Sequence, residues 1–254
     1  MLMQLPEEKK DLVVGLFKEN QLNNSALWCY FTGIMPGKTY VDNLEAPSKA
    51  ICVLDMSWTY ISDDADFEWI EQTLQEIIKT AWIQVVWNVE KRPVTPLQDN
   101  EKRVVIPRFQ YTQRRRGAIL EKPGDVELAP FSAELYEKLP WKDFHDGTYG
   151  GFEGFSKKTF GFYSLENGEI CSECTAAFIA NGYTEINIIT DKSKRRRGFA
   201  FAACVRTFEE IEKRGLKPIW ACDKENVESM KLAEKLGFIN PYEYDFIFFP
   251  QMND

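Results

Sequence analysis

The chain carries one histidine, His145, among 254 residues, and that scarcity removes most transition-metal chemistry. A zinc site needs several His, Cys or carboxylate ligands together, and the lone C-x-x-C pair, Cys171 and Cys174, has no second pair at ligand spacing. No metal is expected. The remaining cysteines, Cys29, Cys52, Cys204 and Cys222, are dispersed and mostly sit in apolar runs, which suits reduced, buried thiols and excludes a disulfide framework. No segment approaches the roughly 20 apolar residues of a membrane span, and the N-terminal stretch with Glu7 and Glu8 has no apolar run of signal length. The expected compartment is therefore the cytoplasm, with no membrane partner. Basic residues are also in deficit: 31 Lys+Arg against 39 Asp+Glu give a net charge of −8, which argues against nucleic acid as a partner.

What is abundant is apolar and aromatic surface, 44% and 14% of residues with seven Trp, enough for a packed core. The length suits one large domain or two small ones. Residues 6–20 carry Leu12, Val13, Leu16 and Phe17 at helical spacing. Three extended runs are expected next, over 26–33, 38–42 and 50–61, then a helix over 67–80 opened by the acidic stretch 62–66, then a strand over 82–89. Strands over 104–111 and 114–120 lead to Lys122-Pro123-Gly124-Asp125, the expected boundary between domains 1–124 and 125–254. Beyond it the pattern predicts a short strand at 126–128, helix around 132–139, and a glycine- and aromatic-rich loop from His145 to Phe155. A hairpin of 159–165 and 170–180 over Asn167-Gly168 follows, with a third strand at 183–190.

The chemistry concentrates after that third strand. Lys192, Lys194, Arg195, Arg196, Arg197 and Gly198 form a basic turn directly before a helix with Phe201, Cys204, Val205, Phe208 and Ile211 on one face. Free backbone N–H groups and a positive dipole end therefore meet at one point, which suits a pyrophosphate. The turn is neither GxxxxGK[ST] nor GxGxxG.

Arg195, Gly198 and Ala200 instead match the RxxGxA form of the acyl-CoA-binding motif, and the chain here resembles the GNAT superfamily of acyltransferases. Residues 226–238, with Asn226, Ser229, Leu232, Glu234, Lys235, Leu236, Gly237 and Phe238, resemble that superfamily's N-x-x-S-x-x-L-x-E-K-L-G-F element. The Phe160–Tyr163 hairpin strand, the Glu185 strand and the Pro218–Trp220 strand are similar to bacterial proteins grouped as GNAT acetyltransferases. The resemblance covers roughly residues 125–254 and implies an α/β (α+β) chain. Its C-terminal half would be a GNAT acyl-CoA N-acyltransferase fold around a central mixed, mostly antiparallel sheet, preceded by an N-terminal mixed α/β domain. The order of elements in 26–89 echoes that in 159–222, so the N-terminal half reads as a degenerate GNAT-like copy.

The resemblance also implies acetyl-CoA as co-substrate and a small-molecule primary amine as acceptor. The pyrophosphate would rest on Arg195, Arg196, Arg197, Gly198, Phe199 and Ala200. The pantetheine arm would run along Ile188, Ile189 and Thr190, with strands three and four splayed there, and Asn226 and Ser229 would reach the donor from the following helix. A backbone N–H near Ile189 would hold the thioester oxygen. Glu185 is the first candidate base and Glu173 the second, against the plainer reading of both as exposed strand positions. The tyrosine that often serves as general acid is replaced by Ala233, leaving Tyr183, Tyr242, Tyr244, Ser229 or water. That departure keeps open a non-catalytic acyl-CoA-binding or sensor protein.

Two features distract. Arg114, Arg115, Arg116 and Gly117 repeat the basic string, but Pro123 follows too soon for a long helix. At the corresponding turn of the N-terminal half stand Asp63, Asp64 and Asp66, whose charges would repel a pyrophosphate. That half is expected to supply a wall of the acceptor site or a homodimer face through Trp28, Trp58, Trp69, Trp82 and Trp87, or simply to bury them as core.

Overall fold

Fourteen strands and eight α-helices run through the residues that the computed structural model describes, 2–18, 24–115, 124 and 126–252. In chain order they are β1 (Met3–Leu5), α1 (Asp11–Val14), α2 (Asn24–Phe31), β2 (Gly37–Val41), β3 (Ala50–Leu54), β4 (Trp58–Ile61), α3 (Phe67–Ile78), β5 (Ile83–Trp87), β6 (Val104–Tyr111) and β7 (Gln113–Arg114). They continue as β8 (Glu127–Pro130), α4 (Ala133–Glu137), α5 (Lys142–Tyr149), α6 (Phe152–Lys158), β9 (Phe160–Glu166), β10 (Glu169–Ala180), β11 (Tyr183–Thr190), α7 (Phe199–Lys213), β12 (Lys217–Asp223), α8 (Val227–Lys235), β13 (Phe238–Ile239) and β14 (Tyr242–Phe249). Two compact units result: Met1–Gln110 with Cys222–Glu225 and Tyr242–Asp254, and Tyr111–Ala221 with Asn226–Pro241.

The first unit is a sheet in the order β1-β2-β3-β4-β5-β14-β6. All neighbours are antiparallel except β4 and β5, which run parallel with Trp58 opposite Gln84 and Thr59 opposite Val85. Helix α3 begins where Asp66 Oδ1 accepts the Trp69 N–H at 2.9 Å, a normal carboxylate cap. Its Ile70, Leu74, Ile77 and Ile78 pack with Ile51, Ile83, Val85, Trp87, Ile247 and Phe249. The acidic turn ahead of it is filled by the protein's own cations. Arg92 donates to the carbonyl oxygens of Ser62 and Asp63 at 2.8 and 3.2 Å, Lys91 pairs with Asp63 at 2.7 Å, and Lys49 pairs with Asp66.

The second unit repeats that topology. Its sheet order is β8-β9-β10-β11-β12, antiparallel throughout except for β11 and β12, which run parallel. In each unit a strand, helices, a three-strand meander, a helix and a parallel strand follow one another. Helix α7 covers one sheet face, where Thr207 Oγ1 donates to Cys174 O at 3.2 Å. The opposite face carries α4 to α6. A tight approach at Gly161 fixes β9 against β10: a Cβ there would overlap the Cys174 carbonyl oxygen and lie 2.7 Å from the Phe131 ring. Backbone cannot yield as a flexible side chain can. Gly161→Ala is expected to cost about 3 kcal/mol or more, the upper range for overpacking, read as a lowered midpoint in urea unfolding; a loss below 1 kcal/mol would contradict this packing.

Several sequence expectations are corrected. Residues 26–33 are not extended but largely helix α2, seven of whose eight residues are buried, so no polar face marks its period. The run 50–61 is a hairpin of β3 and β4, which restores the count of three strands. The stretch from His145 to Phe155 is not a loop: α5 and α6 meet at Gly150 and Gly151, with φ of +73° and +100°. The boundary at 124/125 does not follow the compact units, because β14 is inserted between β5 and β6. Of the strand expected at 114–120 and the second basic string, Arg116 onward lies outside the described residues. Trp87 is fully buried, Trp58 packs on Phe246 at 5.4 Å and Trp69 lies against the core, whereas Trp82 is 46% exposed. All six cysteines are buried, and none forms a disulfide. No helix among the described residues is long and apolar enough to cross a membrane.

Candidate functional site

Strand β11 keeps its parallel partner for only three residues. Tyr183, Thr184 and Glu185 lie opposite Lys217, Pro218 and Ile219, and no β12 residue faces Ile186–Thr190. On its other side β11 stays paired with β10 up to Thr190 opposite Ser172. Which backbone groups reach the open edge follows from alternation. Asp191 N–H donates to Cys171 O, and on the far side Lys217 N–H donates to Gly182 O. Odd-numbered residues of β11 therefore bond to β10, and the N–H and C=O groups of Ile186, Ile188 and Thr190 point to the open edge. Of the backbone groups around Ile189, where an oxyanion donor is expected, it is the Ile188 N–H that points to the open edge, because the Ile189 amide faces β10.

The open edge leads to the basic turn. Asp191 accepts from Ser193 N–H at 2.8 Å and starts a short 3-10 turn over Lys192–Lys194. Arg196 and Gly198 then take positive φ, +60° and +90°, and Gly198 is the N-cap of α7. Glycine suits this position, which L side chains rarely adopt. The first helical bond inside α7 is Ala202 N–H to Gly198 O. Among the described residues, no acceptor is found for the N–H groups of Arg195, Arg196, Arg197, Gly198, Phe199, Ala200 and Phe201. The Phe199 side chain is buried under the Arg197 guanidinium, 5.1 Å from its ring, which anchors the first turn. Not every cation of the turn is idle: Glu166, from the β9–β10 hairpin, pairs with both Lys194 and Arg197.

The two carboxylates share a sheet face but not an environment. Cross-strand partners put Glu185, Asn187 and Ile189 opposite Ala177, Thr175 and Glu173, with all six side chains on the side away from α7. Glu185 is half-buried, at the last residue of β11 that pairs with β12. Glu173, expected at an exposed position, is instead completely buried. It accepts from His145 Nε2 at 2.9 and 3.0 Å, Trp141 Nε1 at 2.9 Å and Thr175 Oγ1 at 2.5 Å. His145, read as a loop residue, is buried in α5 with its ring 4.5 Å from that of Phe155. Ile189, opposite Glu173, lies four positions beyond Glu185 on β11, about 13 Å at strand rise, so the two carboxylates mark opposite ends of the unpaired stretch.

The second motif caps α8. Asn226 Oδ1 accepts the Ser229 N–H at 3.1 Å, and Ser229 Oγ accepts from Trp220 Nε1 at 3.1 Å. Asn226 is exposed. Ala233 is fully buried, which leaves no hydroxyl at that position. Of the substitute tyrosines, Tyr183 stands on β11 and is half-buried. Tyr244 is buried in the first unit with its hydroxyl bonded to Arg108 Nε at 2.8 Å, and Tyr242 is 45% exposed there. No group of three or more His, Cys, Asp or Glu suited to a metal occurs among the described residues.

Residues 15–247 match the GNAT acetyltransferase family. The Bacillus subtilis (strain 168) protein named "Uncharacterized N-acetyltransferase YdfB" is 24% identical, over 96% of this chain and 97% of its own length. Among solved structures, a GCN5-related N-acetyltransferase-like protein from Streptococcus suis 89/1591 superposes with a TM-score of 0.65 at 20% identity, over 94% of this chain and 98% of that one. A tandem GNAT protein from the clavulanic acid biosynthesis pathway does so with a TM-score of 0.62 at 9% identity, covering 98% and 97%.

Proposed function

The chain belongs to the GNAT acetyltransferase family and is accordingly an acyltransferase, and we propose that it moves the acetyl group of acetyl-CoA directly onto the primary amine of a small molecule. The observation that carries this reading is the parting of β11 from β12 beside the start of α7. An unpaired strand edge offers alternating donors and acceptors to an extended amide-bearing arm. The free N–H groups of Arg195–Ala200 and the helix dipole suit a pyrophosphate at the end of that edge. Arg195, Arg196 and Lys192 add positive charge, and the Asn226 amide nitrogen and Ser229 remain the proposed contacts from α8.

The amine must lose a proton as its nitrogen bonds to the thioester carbonyl carbon. Glu185 stands at the root of the split and is the proposed acceptor of that proton. The Ile188 N–H would donate to the carbonyl oxygen as it becomes an oxyanion, a contribution of about 3 kcal/mol for one well-placed donor. Collapse then breaks the C–S bond. The thiolate is a good enough leaving group to depart without a side-chain acid, which fits Ala233. The net charge of −8 and the Glu185 carboxylate favour a cationic amine as acceptor. The first unit is proposed not to bind the donor, since Lys91 and Arg92 already occupy its acidic turn.

Isothermal titration with acetyl-CoA tests the donor half of the proposal. Wild type is expected to bind in the micromolar range, and an Arg195→Ala/Gly198→Asp variant with an intact thermal unfolding profile is expected not to bind. Binding without turnover across a panel of amines would favour a sensor over an enzyme. Absence of binding by the wild type would remove acetyl-CoA from the reading.

A further inference from the structure

We infer that Glu166 is a built-in competitor for the anionic end of the donor, occupying Arg197 and Lys194 until a phosphate displaces it; the inference rests on the acetyl-CoA reading above. The hairpin between β9 and β10 closes through Asn167 and Gly168, both left-handed with φ of +52° and +79°, the geometry of a type I′ turn. Glu166 and Glu169 face each other across it. So short a loop holds the Glu166 backbone beside the basic turn, and only its side chain is free to swing.

That side chain is fully engaged. Arg197 meets both carboxylate oxygens, through Nη1 at 3.0 Å to Oε2 and through Nη2 to Oε1, while Lys194 Nζ reaches Oε2 at 2.9 Å. Glu169 adds a longer contact to Lys194 at 3.5 Å. The hydrogen bonds from Arg197, then Lys194, hold the Glu166 carboxyl down at about 2, so it is charged at any working pH. Among the described residues no carboxylate pairs with Lys192, Arg195 or Arg196. The turn therefore presents three open cations and two that already hold an anion.

A guanidinium fork donates to a carboxylate or to two phosphate oxygens in the same geometry. Glu166 and Arg197 are 28% and 49% exposed on their side chains, so the exchange needs no buried group to open. Each donor molecule that binds must evict one carboxylate, and the affinity is lowered accordingly. Discrimination follows as well: a ligand with a single weak negative charge gains little by displacing Glu166, whereas one with several phosphate charges does.

The test is a double-variant cycle read by titration with acetyl-CoA and, separately, with inorganic pyrophosphate as a competitor. Glu166→Gln is expected to tighten acetyl-CoA on the order of threefold to tenfold, the scale of one partly solvated charge. It should also steepen the loss of affinity with added salt. Arg197→Gln should weaken binding much more in the Glu166→Gln background than in wild type, because only there is Arg197 free. Glu169→Gln should change affinity less than twofold. Glu166→Asp, too short to span both cations, gives the same reading should the Gln variant not fold. Unchanged or weaker binding by Glu166→Gln, with wild type binding normally, overturns the competitor role and makes Glu166 an organiser of the turn. No binding by wild type overturns the donor reading and the inference together.

Discussion

His145→Ala destabilises the second unit by about 3 kcal/mol or more, the cost of stripping a hydrogen-bond partner from a fully buried carboxyl and of opening a cavity beside it. Glu173 has no solvent to turn to. Its carboxyl group is satisfied by His145, Trp141 and Thr175, and losing the imidazole leaves a buried polar group short of a partner. The ring also packs against Phe155 and Tyr149, at 4.5 and 5.9 Å between centroids, so a cavity adds to the cost. For a chain of this size the melting temperature should fall by about 10 °C or more. Glu173→Gln is expected to cost less, because it keeps the shape and one oxygen acceptor, yet its amide nitrogen would point a donor at the donors of His145 and Trp141. The joint replacement His145→Phe/Glu173→Leu should recover most of the loss, since apolar groups of similar shape replace both partners of a buried hydrogen bond at little cost. A His145→Ala variant that melts within 2 °C of wild type would contradict the burial of this pair.

Glu185→Gln is expected to lower kcat/KM about 100-fold or more, the lower bound for loss of a positioned general base. The substitution keeps the shape and removes only proton affinity. Acetyl-CoA affinity should stay within twofold of wild type, because the donor contacts proposed on Ile188, Thr190 and the turn do not involve this side chain. The acid limb of the pH–rate profile, where the carboxylate of wild type takes up a proton, should disappear in the variant. A variant that retains that limb removes Glu185 from the role and leaves water or the amine's own ionisation to account for it.

The proposed donor site is the most legible part of the chain because its signals are local. Gly198, the basic turn and the amphipathic α7 are adjacent in sequence, and Asn226 caps α8 as its position suggests. The hairpin at Asn167-Gly168 was likewise written in two residues. What was hidden depends on partners distant in sequence. Glu173 reads as an exposed strand residue because alternation says only which face it is on, and helix α5 that covers that face was itself disguised by Gly147, Gly150 and Gly151. Helix α2 lacked a polar stripe, being buried nearly all round. The neutralisation of Arg197 by Glu166 needs the hairpin and the turn to be brought together, 31 positions apart. The repeated topology is visible in outline, but helix α2, which has no polar stripe, reads as the first strand of its meander.

The insertion of β14 between β5 and β6 has its consequence during synthesis. Strand β6 ends at Tyr111 and β14 begins at Tyr242, so roughly 130 residues must be translated after the first unit's other strands have left the ribosome. At about 5–20 residues per second that is on the order of 10 s. Throughout that interval β5 and β6 lack their shared neighbour, and Ile247 and Phe249 are missing from the core they complete. The second unit has nearly all of its strands by then. The half that comes first off the ribosome is the last to finish folding, and a chain cut before Tyr242 would leave it with two open strand edges.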